Sequence, residues 1–400
     1  MSTRSRREFL LGGAAFVGGA SLAGAATYLA TEGGEPTPTQ APWGSDVQPF
    51  YGAHQAGVET PPQALATFIA FDLRADADRD AVGRLMRLWT DDAARLTSGD
   101  AALADTEPEL AMRPAGLTVT FGFGPALFDK LGLPHQRPAG LVEVPDLPID
   151  RLQDRWSGGD VLVHVAADDP TTLAHATRML LKDGRGFVHV RWVQRGFRDA
   201  RGAVSDGSTP RNLMGQVDGT INPTPGSADF DDVVWSDDGP PWFQGGSTLV
   251  IRRIAMNLDT WDAVDRSSRE QVIGRSLADG APLTGGDEHT AVDLEAVGTD
   301  GLTVIAPFAH TRRARAHAPH ERFLRRGYSY DDSPGVGSVS DVGLLFCAYQ
   351  ADVGRQFVPV QRRLAAFDLL NQWTTPVGSA VFALPRGCQP GEWIGQELLG

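Results

Sequence analysis

The chain has 400 residues and a formal net charge of −14 at pH 7, and its 42% hydrophobic and 22% charged residues are the balance of a folded globular protein. So acidic a chain argues against nucleic acid as a partner and disfavours an anionic membrane surface, because both need a basic face. Its two cysteines, Cys347 and Cys388, fit no zinc pattern and read as isolated thiols.

Residues 1–35 read as a separate unit. Ser5-Arg6-Arg7-Glu8-Phe9-Leu10 is a twin-arginine motif, followed by a Gly/Ala-rich apolar run and the small-residue site Ala23-Gly24-Ala25. This is the pattern of a twin-arginine export signal. The run is too short and glycine-rich to favour a stable spanning helix. The expected location is therefore outside the cytoplasm: secreted, in the cell envelope, or membrane-tethered if the signal stays uncut. The twin-arginine translocase is the expected partner during export. Residues 36–48, rich in Pro and Thr, read as a linker.

The body begins with a β-prone run at 64–74. Helical spacing follows over 78–96, through Val82, Leu85, Met86, Trp89 and Ala93. A second strand is expected at 117–124, with a short helix from Pro125. The run DVLVHVAADD at 160–169 alternates like a half-buried strand, and Pro170 opens a helix over 170–183. A fourth strand is expected at 187–194. The order β-α-β-β-α-β is that of a ferredoxin-like unit with an antiparallel sheet. It partly recurs: a strand at 247–257, helical pattern at 258–277, a strand at 343–350, a helix at 353–372 and a strand at 379–385. The fold class expected is α+β, with two ferredoxin-like domains at 49–222 and 223–400.

Candidate chemistry sits in two places. The stretch NLMGQVDGTINP, 212–223, holds one acid, Asp218, on a glycine-flanked turn. Alone, Asp-Gly is a common turn dipeptide. The segment FAHTRRARAHAPHERFLRRGYSY carries His310, His317 and His320 among Arg312, Arg313, Arg315, Arg322, Arg325 and Arg326. Such an arginine cluster suits a sulfate, a phosphate or haem propionates, or plain ion pairing with surface acids. His164 and His189 alternate within strands and read as surface or core fillers, and His175 lies within a helix. No HExxH motif, GxSxG elbow or glycine-rich nucleotide loop occurs in the required context.

Together these segments resemble the dye-decolourising peroxidase family, in particular its exported, twin-arginine-dependent actinobacterial members. YGAHQAGVETPPQ at 51–63, LTVTFGFGPALFDKLGL at 117–133, GQVDGTINP, and FAHTRRARA followed by FLRRGYSYDD carry the likeness, which runs from about residue 48 to 396. The resemblance implies two ferredoxin-like domains of the dimeric α+β barrel superfamily, with haem b held between sheet and helices. It implies a haem peroxidase that reduces hydrogen peroxide while oxidising dyes, phenols or another reducing co-substrate. A homo-oligomer is a possible assembly. His310 matches the proximal iron ligand, with His317 the next candidate. Asp218 matches the distal acid and Arg325 the distal arginine, with Arg326 as the alternative. Gly219, Thr220 and Ile221 are expected along the haem, and Arg312 or Arg315 at a propionate. Asn371 stands where many members carry an acid bonded to the proximal histidine. Tyr328, Tyr330, Tyr349, Trp373 and Trp393 are candidate electron relays.

Haem peroxidation needs a proton shuttle above the iron and a cation for the departing oxygen. Asp218 and Arg325 are the residues expected to supply them, and the glycine-flanked turn lets the backbone approach the porphyrin face. The alternatives are an exported haem-handling or iron-uptake-linked protein and a non-enzymatic ferredoxin-like binding protein.

Overall fold

Residues 43–205 and 207–400 are described by a computed structural model. The expected export signal and the linker up to residue 42 lie outside the described residues. In the first half, β1 (Leu65–Leu73), β2 (Thr118–Phe123), β3 (Val161–Ala167) and β4 (Val188–Phe197) pair antiparallel in the order β2-β3-β1-β4. The second half contributes β5 (Ser247–Met256), the two-residue β6 (Leu324–Arg325), β7 (Tyr328–Asp332), β8 (Asp341–Gln350) and β9 (Thr374–Leu384). Its main sheet runs β9-β5-β8-β7, the same order again, and β6 also pairs with β8. Each half is thus a ferredoxin-like sheet.

The two sheets meet at both edges. Phe123 of β2 pairs with Ala383 of β9, and Phe197 of β4 pairs with Ser329 of β7. These contacts close the eight longer strands into a barrel and cover what would otherwise be four open edges. Phe68, Leu162, Cys347, Tyr349 and Phe382 form part of one buried cluster, whereas Ile69, Trp89, Phe121 and Val163 belong to another. Neighbouring residues of β1 and β3 thus fall into different clusters, as strand alternation requires.

The helices Arg79–Thr97 and Pro170–Gly184 cover the first sheet. Each is started by an aspartate: Asp78 accepts from the Ala81 amide and Asp169 from the Thr172 amide. Trp89, fully buried, ties the pair by donating Nε1–H to the Leu180 carbonyl at 2.8 Å.

Four expectations need correction. The strand at 160–169 is buried along its whole length, because β3 lies between β1 and β2 with core on both faces. The pattern at 258–277 resolves into two short helices, Leu258–Trp261 and Arg266–Ile273. Asp265 caps the second, and Gly274, at φ 86°, ends it. The strand β7 was absent from the expected set. YSYDD is short, ends in charge, and gains its strand character from pairing with β8. The expected 353–372 helix is also divided: a π turn at Val353–Phe357, an α-helix at Val358–Phe367 and a 3-10 turn at Leu369–Gln372.

Both cysteines are free and buried. His175 is a packing residue with a polar anchor. Its Nε2 meets Asp105 Oδ2 at 2.8 Å, with both side chains at most 2% exposed. Burial alone would raise the Asp105 pKa, but the Glu107 amide and His175 outweigh it and hold the carboxyl below its usual range. Asp105→Ala is expected to cost about 3 kcal/mol at pH 7, the scale for breaking a buried pair. The folded pKa is depressed, so this stabilisation is present above the unfolded value of about 3.9 and is lost as pH falls through the folded one. Urea unfolding over a pH series checks this: the two proteins should differ at pH 7, and the gap should narrow as pH falls below the ordinary carboxylate value.

Candidate active site

The distal turn is built from short-range bonds. Arg211 and Val217 form an isolated antiparallel bridge, and the Asp218 amide donates to the Pro210 carbonyl at 2.9 Å. Gly219 follows at φ 134°, a conformation closed to residues with a side chain, and this lets the chain turn directly behind the carboxylate. Thr220 donates its hydroxyl to Glu288 Oε1 at 2.7 Å. Burial works to raise the Glu288 pKa, but hydrogen bonds from Thr209 and Thr220 help bring it below the ordinary glutamate value. Glu288 therefore accepts as a carboxylate and anchors the turn.

Asp218 Oδ1 lies 2.9 Å from Arg325 Nη1, and both side chains are about a quarter exposed. Asn222 holds the two segments together. Its Nδ2 donates to the Arg325 carbonyl at 2.7 Å and its Oδ1 accepts from the Arg325 amide at 3.0 Å. This side chain acts as a strand partner across 103 residues of sequence and sets where Arg325 begins. Arg326 points elsewhere: Nη2 donates to Gln63 Oε1 at 2.7 Å, and Nη1 donates to the Thr60 carbonyl. Strand alternation separates the two arginines, so Arg325 is the one that faces Asp218.

His310 opens a five-residue helix, His310–Ala314. Its Nδ1 lies 2.6 Å from Asp368 Oδ2. Asp368 is nearly buried. It terminates the helix Val358–Phe367 and accepts from the Leu370 amide at 2.9 Å through its other oxygen. Burial disfavours the imidazolium, but the charge and hydrogen bond of Asp368 outweigh it and raise the His310 pKa; Asp218 adds to the rise and Arg325 opposes it. The distal pair and His310 thus share one electrostatic neighbourhood. The expectation for Asn371 is corrected: its amide donates to the Leu364 carbonyl at 2.8 Å, and the acid at the histidine is Asp368, three residues earlier.

The other expected residues are spread differently. Arg312 is committed to the Leu294 and Ile305 carbonyls, and Arg315 stands exposed just past the short helix. Ile221 is 69% exposed. His317 and His320 are exposed loop residues. Tyr328, Tyr330 and Tyr349 are buried inside the barrel, and among the described residues the Tyr328 and Tyr349 hydroxyls have no hydrogen-bond partner. Burial pushes the Tyr330 pKa up to about 12 and that of Tyr349 well above its ordinary value. Trp373 meets Trp261 edge to face at 5.1 Å, and Trp393 lies beneath Arg87.

The donor set fits a haem. Among the described residues, His310 Nε2 has no hydrogen bond, its Nδ1 is fixed by a carboxylate, and the ring is one-third exposed (33%), so a neutral imidazole nitrogen is left to ligate iron. Asp218 and Arg325 line a cavity of about 280 Å³ whose wall does not include His310.

Comparison with known proteins agrees. The Dyp-type peroxidase N-terminal model matches residues 55–198 and the Dyp-type peroxidase C-terminal model matches residues 209–389. A dye-decolorizing peroxidase of Thermobifida fusca is 40% identical, covering 87% of this chain and 84% of that protein. A deferrochelatase of Escherichia coli is 36% identical over 99% of this chain and 97% of its own length. The crystal structure of a DyP-type peroxidase from Cellulomonas bogoriensis superposes with a TM-score of 0.87 at 55% identity, covering 90% of this chain and 99% of that one. The antiparallel ferredoxin-like α+β fold, matched over both halves, places the chain among haem enzymes of the peroxidase class. The chain belongs to the Dyp-type peroxidase family. It is a haem peroxidase that takes hydrogen peroxide and a reductant as substrates.

Proposed function

We propose that His310 would hold the haem iron through Nε2, and that Asp218 and Arg325 act together on peroxide. The observation that carries this reading is the Asp218–Arg325 contact at 2.9 Å, clamped by Asn222, in the same electrostatic neighbourhood as His310. When bound, haem supplies the iron at which the peroxide O–O bond is cleaved and oxidising equivalents are held. Asp218 Oδ2 takes no part in the Arg325 contact and can accept a proton from the inner peroxide oxygen and return it to the outer one. Arg325 stabilises the charge that develops on the departing oxygen. Asp368 holds the His310 tautomer and raises the basicity of Nε2. Gly219, Thr220 and Ile221 are proposed to lie along the porphyrin, with Arg315 at a propionate.

The wider proposal is an exported enzyme acting on dyes or phenols, delivered folded by the twin-arginine translocase. Purified, haem-loaded protein should oxidise a phenol or an anthraquinone dye only when peroxide is present. Failure to turn over either reductant, with haem fully bound, overturns the peroxidase role of this site. Arg6→Lys with Arg7→Lys should retain the enzyme in the cytoplasm; unchanged export would remove the twin-arginine assignment.

A further inference from the structure

The cavity beside the distal pair is lined by a cation, Arg198, that makes no ion pair among the described residues; Asp218 and Asp199 act on it only at longer range. Arg198 lies just past the end of β4, and its amide donates to the Ala64 carbonyl at 2.8 Å. Among the described residues its guanidinium has no hydrogen bond and no ion pair, and its side-chain contact is with the Tyr328 ring, 5.9 Å from the centroid. Burial lowers its pKa from the ordinary arginine value, but arginine starts so high that it stays protonated.

The rest of the wall does not offset this charge. Arg198, Arg211, Arg325 and Arg326 line the cavity, against the carboxylates Glu59 and Asp218. Asp218 is already paired with Arg325, and Arg326 and Arg211 bond only to carbonyl oxygens. A local excess of positive charge inside a chain of net charge −14 is a selective feature. Much of the remaining lining is apolar and rigid, including Pro61, Pro62, Phe197, Pro223 and Phe346. About 280 Å³ is near the lower end of small-molecule sites. One free guanidinium fork matches one carboxylate, and the proline and phenylalanine walls suit a single aromatic ring.

We infer that this cavity binds a small aromatic monocarboxylate, with its carboxylate on Arg198 and its ring among the proline and phenylalanine side chains. The site shares its wall with Asp218 and Arg325 and so places an oxidisable ring next to the residues proposed to handle peroxide. The inference does not depend on the roles proposed for Asp218 and Arg325, because binding is measured without peroxide.

The test is calorimetric titration of the ferric holoenzyme with benzoate, and with benzamide as the neutral isostere. Benzoate should bind one to one and benzamide at least about tenfold more weakly. Arg198→Leu should weaken benzoate about 10- to 100-fold, the range for a hydrogen bond to a charged group, with haem content and Soret band unchanged. Arg198→Lys should recover part of the loss. Equal binding of benzoate and benzamide, no benzoate binding, or equal affinity in wild type and Arg198→Leu would overturn the inference. Loss of haem from Arg198→Leu would also overturn it, by making Arg198 a cofactor contact. A Soret shift of the same size in wild type and variant would mean ligation of iron, with the same consequence.

Discussion

Asp218→Ala is expected to slow the reaction of the haem-loaded enzyme with hydrogen peroxide by about 10²–10⁴-fold, the span of general acid–base catalysis. Arg325→Leu is expected to slow it by roughly 10²–10³-fold, the span for removing a charge stabiliser. Neither residue is assigned to iron, so both variants should keep haem. The two losses should differ in kind. The Asp218 turn is fixed by the Pro210 bond and the Thr220–Glu288 bond, so the carboxylate is held in place for proton transfer. Its removal should flatten the pH dependence of the rate. Arg325 carries charge at every working pH, so its loss should lower the rate while leaving the profile. Stopped-flow mixing with peroxide over roughly pH 4–8 measures both. Wild-type rates in both variants across that range would show the turn to be structural.

His310→Ala is expected to abolish haem binding or weaken it severely, because it removes the protein bond to iron proposed here. Titration of haem into the refolded variant should give no stoichiometric Soret band, and added imidazole should restore part of it. Asp368→Ala should be milder, with about a 10–100-fold loss in haem affinity or turnover, typical of a residue that orients a metal ligand. The His310 pKa is raised, so a proton on Nε2 competes with iron as pH falls through that raised value. Haem affinity should therefore fall on acidification in the wild type. In Asp368→Ala the fall should set in at lower pH, since the group that raises the pKa is gone. A normal Soret band in His310→Ala without imidazole would move the ligand role to another histidine.

Much of this site was legible because its residues sit in locally dense patterns. Asp218 lies between glycines, and His310 and Arg325 lie in one arginine-rich segment. What escaped depends on contacts between distant segments. Asp368 was passed over for Asn371 because the helix ends at Asp368, so the acid that caps the chain end also reaches the histidine. The choice between Arg325 and Arg326 needed strand alternation, which a two-residue strand scarcely signals in sequence. Asn222 was in plain view within the motif, but its role as clamp exists only once residue 325 lies beside it. Glu288 carries no local signal, since it lies in a polar loop and gains meaning from Thr220. The repeated strand order was readable from hydrophobic runs, except for β7, whose acidic end masked it.

The most direct test of the paired role is a double-mutant cycle on the second-order rate with peroxide, using Asp218→Ala, Arg325→Leu and the double variant, all fully loaded with haem. Residues acting as one unit on one proton transfer are strongly non-additive. The double variant is therefore predicted to be about as slow as the slower single variant. A double variant slowed by the full product of the two single effects would mean that Asp218 and Arg325 act independently, and would contradict the account.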